Sequence, residues 1–228
     1  MGKEDKENLV LPDQVRENLE KDKESAFTLY LDFVIDGTAS MYSVYPAVYF
    51  AALHFLESLS RYEVVTSLGI TVLRSEEIEE ENELVTFDDG TYFTGDITRF
   101  LKKLKNIPLY GGGEDGMESV HRAILRSLEK FPSSGRNKAL MVFTDARGSD
   151  DYCEYTDFPV GQAVFFCTEE LSDEDFRFCF VREDGSYDEE ASPMFIGFEK
   201  LLKPLSTELL ENVVKPLKDL MKGVSIGL

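Results

Sequence analysis

A chain of 228 residues with 43% hydrophobic side chains can bury one sizeable core, so a single domain is the default expectation. Its 44 acidic residues against 24 basic ones give a net charge of −20, a field that repels phosphate backbones and anionic lipid and argues against nucleic-acid or membrane-surface partners. The longest apolar stretch free of formal charge, Val44 to Leu56, runs 13 residues, short of the ~20 a membrane-spanning helix needs. The opening Met1-Gly2-Lys3-Glu4-Asp5-Lys6-Glu7 lacks the basic-then-apolar order of a secretory signal. Three cysteines, Cys153, Cys167 and Cys179, are odd in number and do not pair closely. Together these features lead us to expect a cytoplasmic protein without a disulfide framework.

Residues 1–25 carry eight acids and five bases with few apolar positions and read as a polar tail or helix outside one domain covering 26–228. Phe27 to Ile35 is a near-continuous apolar run, the pattern of a strand buried on both faces in a parallel sheet, and Asp36 ends it. After a loop, Pro46 suits a first helical position and Ala47 to Leu59 supplies helix formers. A second strand is expected at Glu63 to Arg74. A third is expected at Leu84 to Phe93, around the turn signal Asp88-Asp89-Gly90.

A helix over Ile97 to Asn106 has Thr94 or Asp96 to cap it, and a helix over Met117 to Phe131 places Val120, Ile124, Leu125 and Leu128 on one face. Strands follow at Ala139 to Thr144, at Ala163 to Cys167 and, more weakly marked, at Phe176 to Val181. From Asp145 to Glu190 there are 15 acids against three arginines. Leu201, Leu205, Leu209, Val213 and Leu217 then recur at helical spacing, predicting an amphipathic helix over about 198–222. Strands alternating with helices in this way predict an α/β fold with a mostly parallel sheet.

In such sheets ligands bind beyond the carboxyl ends of the strands. The first strand ends Asp36-Gly37-Thr38-Ala39-Ser40-Met41, a carboxylate and two hydroxyls within five residues. A later strand ends Thr144-Asp145. Between them lies Gly111-Gly112-Gly113-Glu114-Asp115-Gly116, where glycines allow close backbone approach and two more carboxylates precede a helix. An oxygen-rich set of this kind suits a hard divalent cation: Mg²⁺ first, with Mn²⁺ or Ca²⁺ as alternatives.

These residues, D-x-T-x-S-M after an apolar strand, G-G-G-x-D opening a helix, and T-D-A after a later strand, resemble the von Willebrand factor type A domain in an intracellular variant of bacterial type. The resemblance covers roughly Phe27 to Cys167 and keeps the family's motif order. It implies a Rossmann-like three-layer sandwich whose mostly parallel sheet has one antiparallel edge strand, with a metal-ion-dependent adhesion site at the sheet's carboxyl end. Carried over by motif, the metal residues would be Asp36, Thr38, Ser40, Asp115 and Asp145. Thr38 and Ser40 would bind directly, and Asp36 and Asp145 mainly through water. The implied function is metal-dependent protein binding without catalysis, the partner presenting a carboxylate within a basic surface. The chain departs from the family in offering Glu114 and Asp115 where threonine is frequent, and Met117 where proline is. Asp150 to Pro159 is also too polar and turn-rich for the helix expected there.

Taken alone, Asp-x-Thr-x-Ser is also an ordinary helix N-cap, and only the convergence of three loops favours a metal. His54 and His121 read as structural, and no cysteine–histidine spacing supports zinc. Neither a Gly-x-Ser-x-Gly elbow nor a phosphate-binding loop is present. The enzymatic alternative is a metal-assisted phosphohydrolase, because a strand followed by Asp-Gly-Thr looks like the haloacid dehalogenase phosphatases. There the nucleophilic aspartate stands two residues earlier, and here that position is Val34. A third alternative is a scaffold that keeps the fold without the metal.

Overall fold

The computed structural model describes residues 28–61, 65–74, 82–112, 117–118, 120–132, 138–148, 163–167 and 194–197. The expected tail over 1–25, the strand at 176–181 and the helix at 198–222 lie outside them, as does the segment 150–159.

Strand β1 (Thr28–Asp36) is followed by a 3₁₀ turn (Ala39–Ser43), helix α1 (Tyr45–Arg61) and β2 (Val65–Leu73). Next come β3 (Glu83–Leu84), α2 (Ile97–Lys105), β4 (Met117–Glu118), α3 (Val120–Leu128), β5 (Lys138–Phe143), β6 (Arg147–Gly148), β7 (Ala163–Cys167) and β8 (Met194–Gly197). Six strands form one sheet in the order β3-β2-β1-β5-β7-β8, and β4 and β6 form a separate parallel pair. Every pairing in the main sheet is parallel except β2 with the edge strand β3. The fold is thus α/β, with a mostly parallel sheet and one antiparallel strand.

β1 lies at the centre because it has apolar side chains on both faces. Leu29, Leu31, Phe33 and Ile35 point to one side and are fully buried with Leu68, Ile70 and Val72 of β2 and Ala139, Met141 and Phe143 of β5. Onto this face α1 brings Val48, Ala52, Phe55, Leu56 and Leu59, and α2 brings Phe100 and Leu104. Tyr45 Oη donates to the Leu104 carbonyl at 2.6 Å, joining the two helices. Phe33 sits between the Phe100 ring at 4.8 Å and the Phe143 ring at 6.1 Å. α3 contacts β1, β2 and β3 and buries Val120, Ala123 and Ile124.

Several boundaries differ from expectation. Of the strand expected over 84–93, only Leu84 falls within β3, and Val85 N–H still donates to Ile70 O at 3.0 Å. Beyond it the chain turns, with Phe87 N–H donating to Thr91 O and Gly90 at φ 79°. Asp89 Oδ1 accepts from both Thr91 N and Thr91 Oγ1, so the local Asp-Gly turn wins over the strand ladder. Met117 and Glu118 pair with Arg147 and Gly148 instead of opening the helix, which begins at Val120. Asp96 caps α2 as expected, accepting from Thr98 N and Arg99 N.

Within β1, Asp32 interrupts the apolar run and is wholly buried. Its Oδ2 accepts from Thr71 Oγ1 at 2.8 Å, and Thr71 in turn meets the Tyr92 hydroxyl at 2.6 Å. Among the described residues neither Asp32 Oδ1 nor Ser127 Oγ on α3 makes a full hydrogen bond. Burial raises the Asp32 pKa, and the nearby Ser127, Tyr92 and Thr71 hydroxyls only partly offset this. A raised folded-state pKa contributes stability that is complete below the unfolded value near 4 and is lost as pH rises through the folded one. Asp32→Asn should therefore raise the melting temperature at pH 8 and lose that advantage near pH 4. Melting curves across this range check it, and an Asn variant less stable than wild type at pH 8 contradicts it.

Candidate functional site

The site lies where β1 and β5 end side by side. Their parallel register sets Ile35 opposite Phe143, so Asp36 and Thr144 come next in line at the carboxyl edge. Asp36 is fully buried and holds its own loop: Oδ1 accepts from Thr38 N at 2.9 Å and from Thr38 Oγ1 at 2.6 Å. Its Oδ2 accepts from Thr144 Oγ1 at 2.8 Å. Thr38 Oγ1 lies 3.0 Å from Ser40 Oγ, and Ser40 Oγ donates to Asp145 Oδ1 at 2.9 Å. Thr38 precedes the 3₁₀ turn, yet its side chain caps nothing there. The ordinary capping role open to these hydroxyls is not the one Thr38 takes.

The row Asp36 Oδ1, Thr38 Oγ1, Ser40 Oγ, Asp145 Oδ1 contains three hydrogen-bond-length contacts. With both carboxylates ionised, the two hydroxyls bring only two hydrogens to it. One contact is then lone pair against lone pair, and the row is short of one positive charge. Consistent with this, the Asp36 carboxyl is pushed up to about 6, first by burial and further by the charge of Asp145, against the hydrogen bonds from Thr38 and Thr144. Half-buried Asp145 is also raised, mainly by desolvation, with Ser40 opposing. A proton can fill the deficit at low pH. At neutral pH a cation coordinated by hard oxygens suits the same position, and the donor set fits one.

A second loop runs alongside. Tyr110 N donates to Gly37 O at 3.0 Å, and Ala39 N donates to Gly111 O at 3.1 Å, forming a short ladder between the loops. Gly111 and Gly112 adopt φ of 71° and 115°, which side-chain-bearing residues rarely take. This backbone leads toward Glu114 and Asp115, both outside the described residues.

Four of the five expected metal residues, Asp36, Thr38, Ser40 and Asp145, therefore share one hydrogen-bonded row. Among the described residues no three His, Cys, Asp or Glu side chains gather into a metal-binding group, because half of this row is hydroxyl. Two contributors lie outside the expected metal set. Thr144, which the sequence placed beside Asp145 at the strand end, touches Asp36 directly. Arg74 lies beneath the first loop, and the signal was a lone cation closing an apolar strand. Ser40 is exposed while Asp36 and Thr38 are buried, so the row opens to solvent at its Ser40 end.

No family model matches the sequence, and no curated protein is significantly similar to it. Among solved structures it is similar to proximal thread matrix protein 1 from the mussel byssus, at 15% identity and a TM-score of 0.47, over 84% of this chain and 46% of that one. It is also similar to the pilus adhesin SpaC of Lactobacillus rhamnosus GG in its open conformation, at 12% identity and a TM-score of 0.48, over 86% of this chain and 30% of that one. The chain thus spans less than half the length of either. At this level neither protein indicates what this chain binds. No helix among the described residues is long and apolar enough to cross a membrane.

Proposed function

We propose that the chain is a metal-dependent protein-binding module of the von Willebrand factor type A kind, with the three-layer arrangement that family uses. The observation that carries this reading is the oxygen row with one hydrogen too few, opening to solvent at Ser40. Thr38 and Ser40 would offer hydroxyl oxygens to a divalent cation, Mg²⁺ first. Asp36 and Asp145 would supply most of the compensating charge, joined by Asp115 of the glycine-rich loop. With neutral hydroxyls as its direct ligands and its carboxylates mainly behind water, the cation would keep a coordination position open to solvent, where a partner's Asp or Glu can complete its shell. The chain's net charge of −20 then selects a partner whose carboxylate sits among lysines or arginines. Among the described residues no activated nucleophile adjoins the row, and binding without catalysis is the function we propose.

Free Mg²⁺ at a hundredfold excess over its dissociation constant should stabilise the fold by about 2.7 kcal/mol, or roughly 5–10 °C for a chain of this size. Ser40→Ala should lose most of that shift. A carboxylate-bearing partner should be captured by wild type in Mg²⁺ and released by EDTA or by raised salt. Equal melting temperatures in Mg²⁺ and EDTA for wild type would overturn the metal. A specific partner held equally in both would overturn the role of the metal in recognition.

A further inference from the structure

Among the described residues the largest side chain that is almost wholly buried is that of Arg74, at 1% exposure. Burying a guanidinium is costly unless its donors are used, and the residue stands at the end of β2, beside the end of β1. Nη1 donates to the Gly37 carbonyl at 2.6 Å and to the Pro108 carbonyl at 2.9 Å. Nη2 meets Glu83 of β3 at 3.4 Å. The Tyr110 ring covers the guanidinium, its centroid 4.2 Å from Cζ. The backbone N–H of Arg74 donates to Asn82 Oδ1 at 2.8 Å, which fixes the root of the side chain.

Gly37 separates Asp36 from Thr38, so its carbonyl belongs to the turn that sets two of the four oxygens in the row. That carbonyl also accepts from Tyr110 N. Pro108 and Tyr110 belong to the stretch that becomes the glycine-rich loop. One planar cation thus ties the first loop to the stretch leading into the second. A Cβ on Gly37 would overlap Arg74 Nη1 and the Val72 side chain, so glycine here is what lets the guanidinium reach.

We propose that Arg74 is a positioning residue for cation binding: by bridging the Gly37 and Pro108 carbonyls it holds the Asp36-Gly37-Thr38 turn in the geometry the cation needs. The proposal rests on the metal reading above. Arg74 coordinates nothing itself and acts through the loop. Lysine keeps the charge, but as a compact point charge it lacks the planar fork that spans two carbonyls.

The test measures Mg²⁺ affinity by calorimetric titration, alongside metal-free unfolding, for wild type, Arg74→Lys, Gly37→Ala and the double variant. Outer-shell partners of metal ligands typically contribute 10–100-fold in affinity, so we expect each single variant that remains folded to bind Mg²⁺ about tenfold more weakly. The double variant should bind no worse than the weaker single one, because both changes break the same contact. Gly37→Ala keeps the arginine but pushes its guanidinium off the Gly37 carbonyl, and it carries the test if Arg74→Lys does not fold. Unchanged affinity in a folded Arg74→Lys or Gly37→Ala, while wild type binds, overturns the positioning role and leaves the metal reading intact. Additive losses in the double variant, or failure of both single variants to fold, also overturn it by making Arg74 a residue of the fold. Absence of Mg²⁺ binding by wild type removes the proposal together with the reading beneath it.

Discussion

Asp36→Asn should make the metal-free protein more stable at pH 7 and at the same time erase its stabilisation by Mg²⁺. The two effects have opposite signs because one carboxylate serves both. In the metal-free fold Asp36 is buried and faces Asp145, and its pKa stands at about 6 against about 3.8 unfolded. Keeping that carboxylate ionised in the metal-free fold at neutral pH therefore costs on the order of 3 kcal/mol. The contribution of Asp36 to stability is complete below pH 4 and is lost as pH rises to about 6, so the advantage of asparagine should be absent near pH 4 and full at pH 7. With Mg²⁺ present wild type should recover about 2.7 kcal/mol and close most of that gap, while the variant, whose neutral amide calls for no added charge, gains nothing. Protons and metal compete for the same oxygens, so wild-type affinity should weaken as pH falls through about 6. Thermal melts in EDTA and in Mg²⁺ at pH 4 and pH 7 contain the whole comparison. An asparagine variant that is less stable in EDTA at pH 7, or that keeps the Mg²⁺ shift, would show that the row is not short of positive charge.

Phe33→Ala should be the most destabilising single change in the described core, at about 3–5 kcal/mol. Phe33 is wholly buried in the central strand and contacts rings from a helix on one side and from β5 on the other. Truncation removes the transfer energy of the ring and leaves a void between elements that β-sheet pairing holds apart, so collapse can recover little of the loss. Phe33→Leu, which fills most of that volume, should lose much less. Urea titrations with equal slopes and separated midpoints would establish the difference. If alanine lowers stability by under 1 kcal/mol, the Phe33, Phe100 and Phe143 cluster is not the packing centre described. Unlike Asp36→Asn, this change should act at every pH and with or without metal.

The elements that the amino-acid pattern made legible are those whose burial is decided locally. β1 is an apolar run closed by a carboxylate, and α2 has an Asp cap and a narrow apolar stripe. The misreadings fall where pairing depends on a distant segment. β4 is two residues long and exists through Arg147 and Gly148, and among the described residues β8 pairs with β7 alone, neither of which leaves a periodic trace. The strand expected through Thr91 shows a local preference overruling alternation, because Asp89 satisfies the backbone before a neighbouring strand can. Four site residues were legible since loops at strand ends carry their own hydroxyls and acids. Thr144 and Arg74 fell outside the expected metal set because their roles depend on which strands are neighbours, and strand order is not written in any one segment.

The strand order also sets when in folding the oxygen row can form. β1 and β2 are joined by a single helix, whereas the partner on the other side of β1 is β5, about a hundred residues further along the chain. Ser40 and Asp145, 105 positions apart, meet only after β5 has docked in its native register, and a slip of one residue would move Thr144 away from Asp36. Closing so long a loop is entropically slow. A cation that recognises the completed row therefore has little to hold while the chain is still assembling. A cation bound there as proposed would act on the lifetime of the finished fold more than on the speed of reaching it, latching the native register.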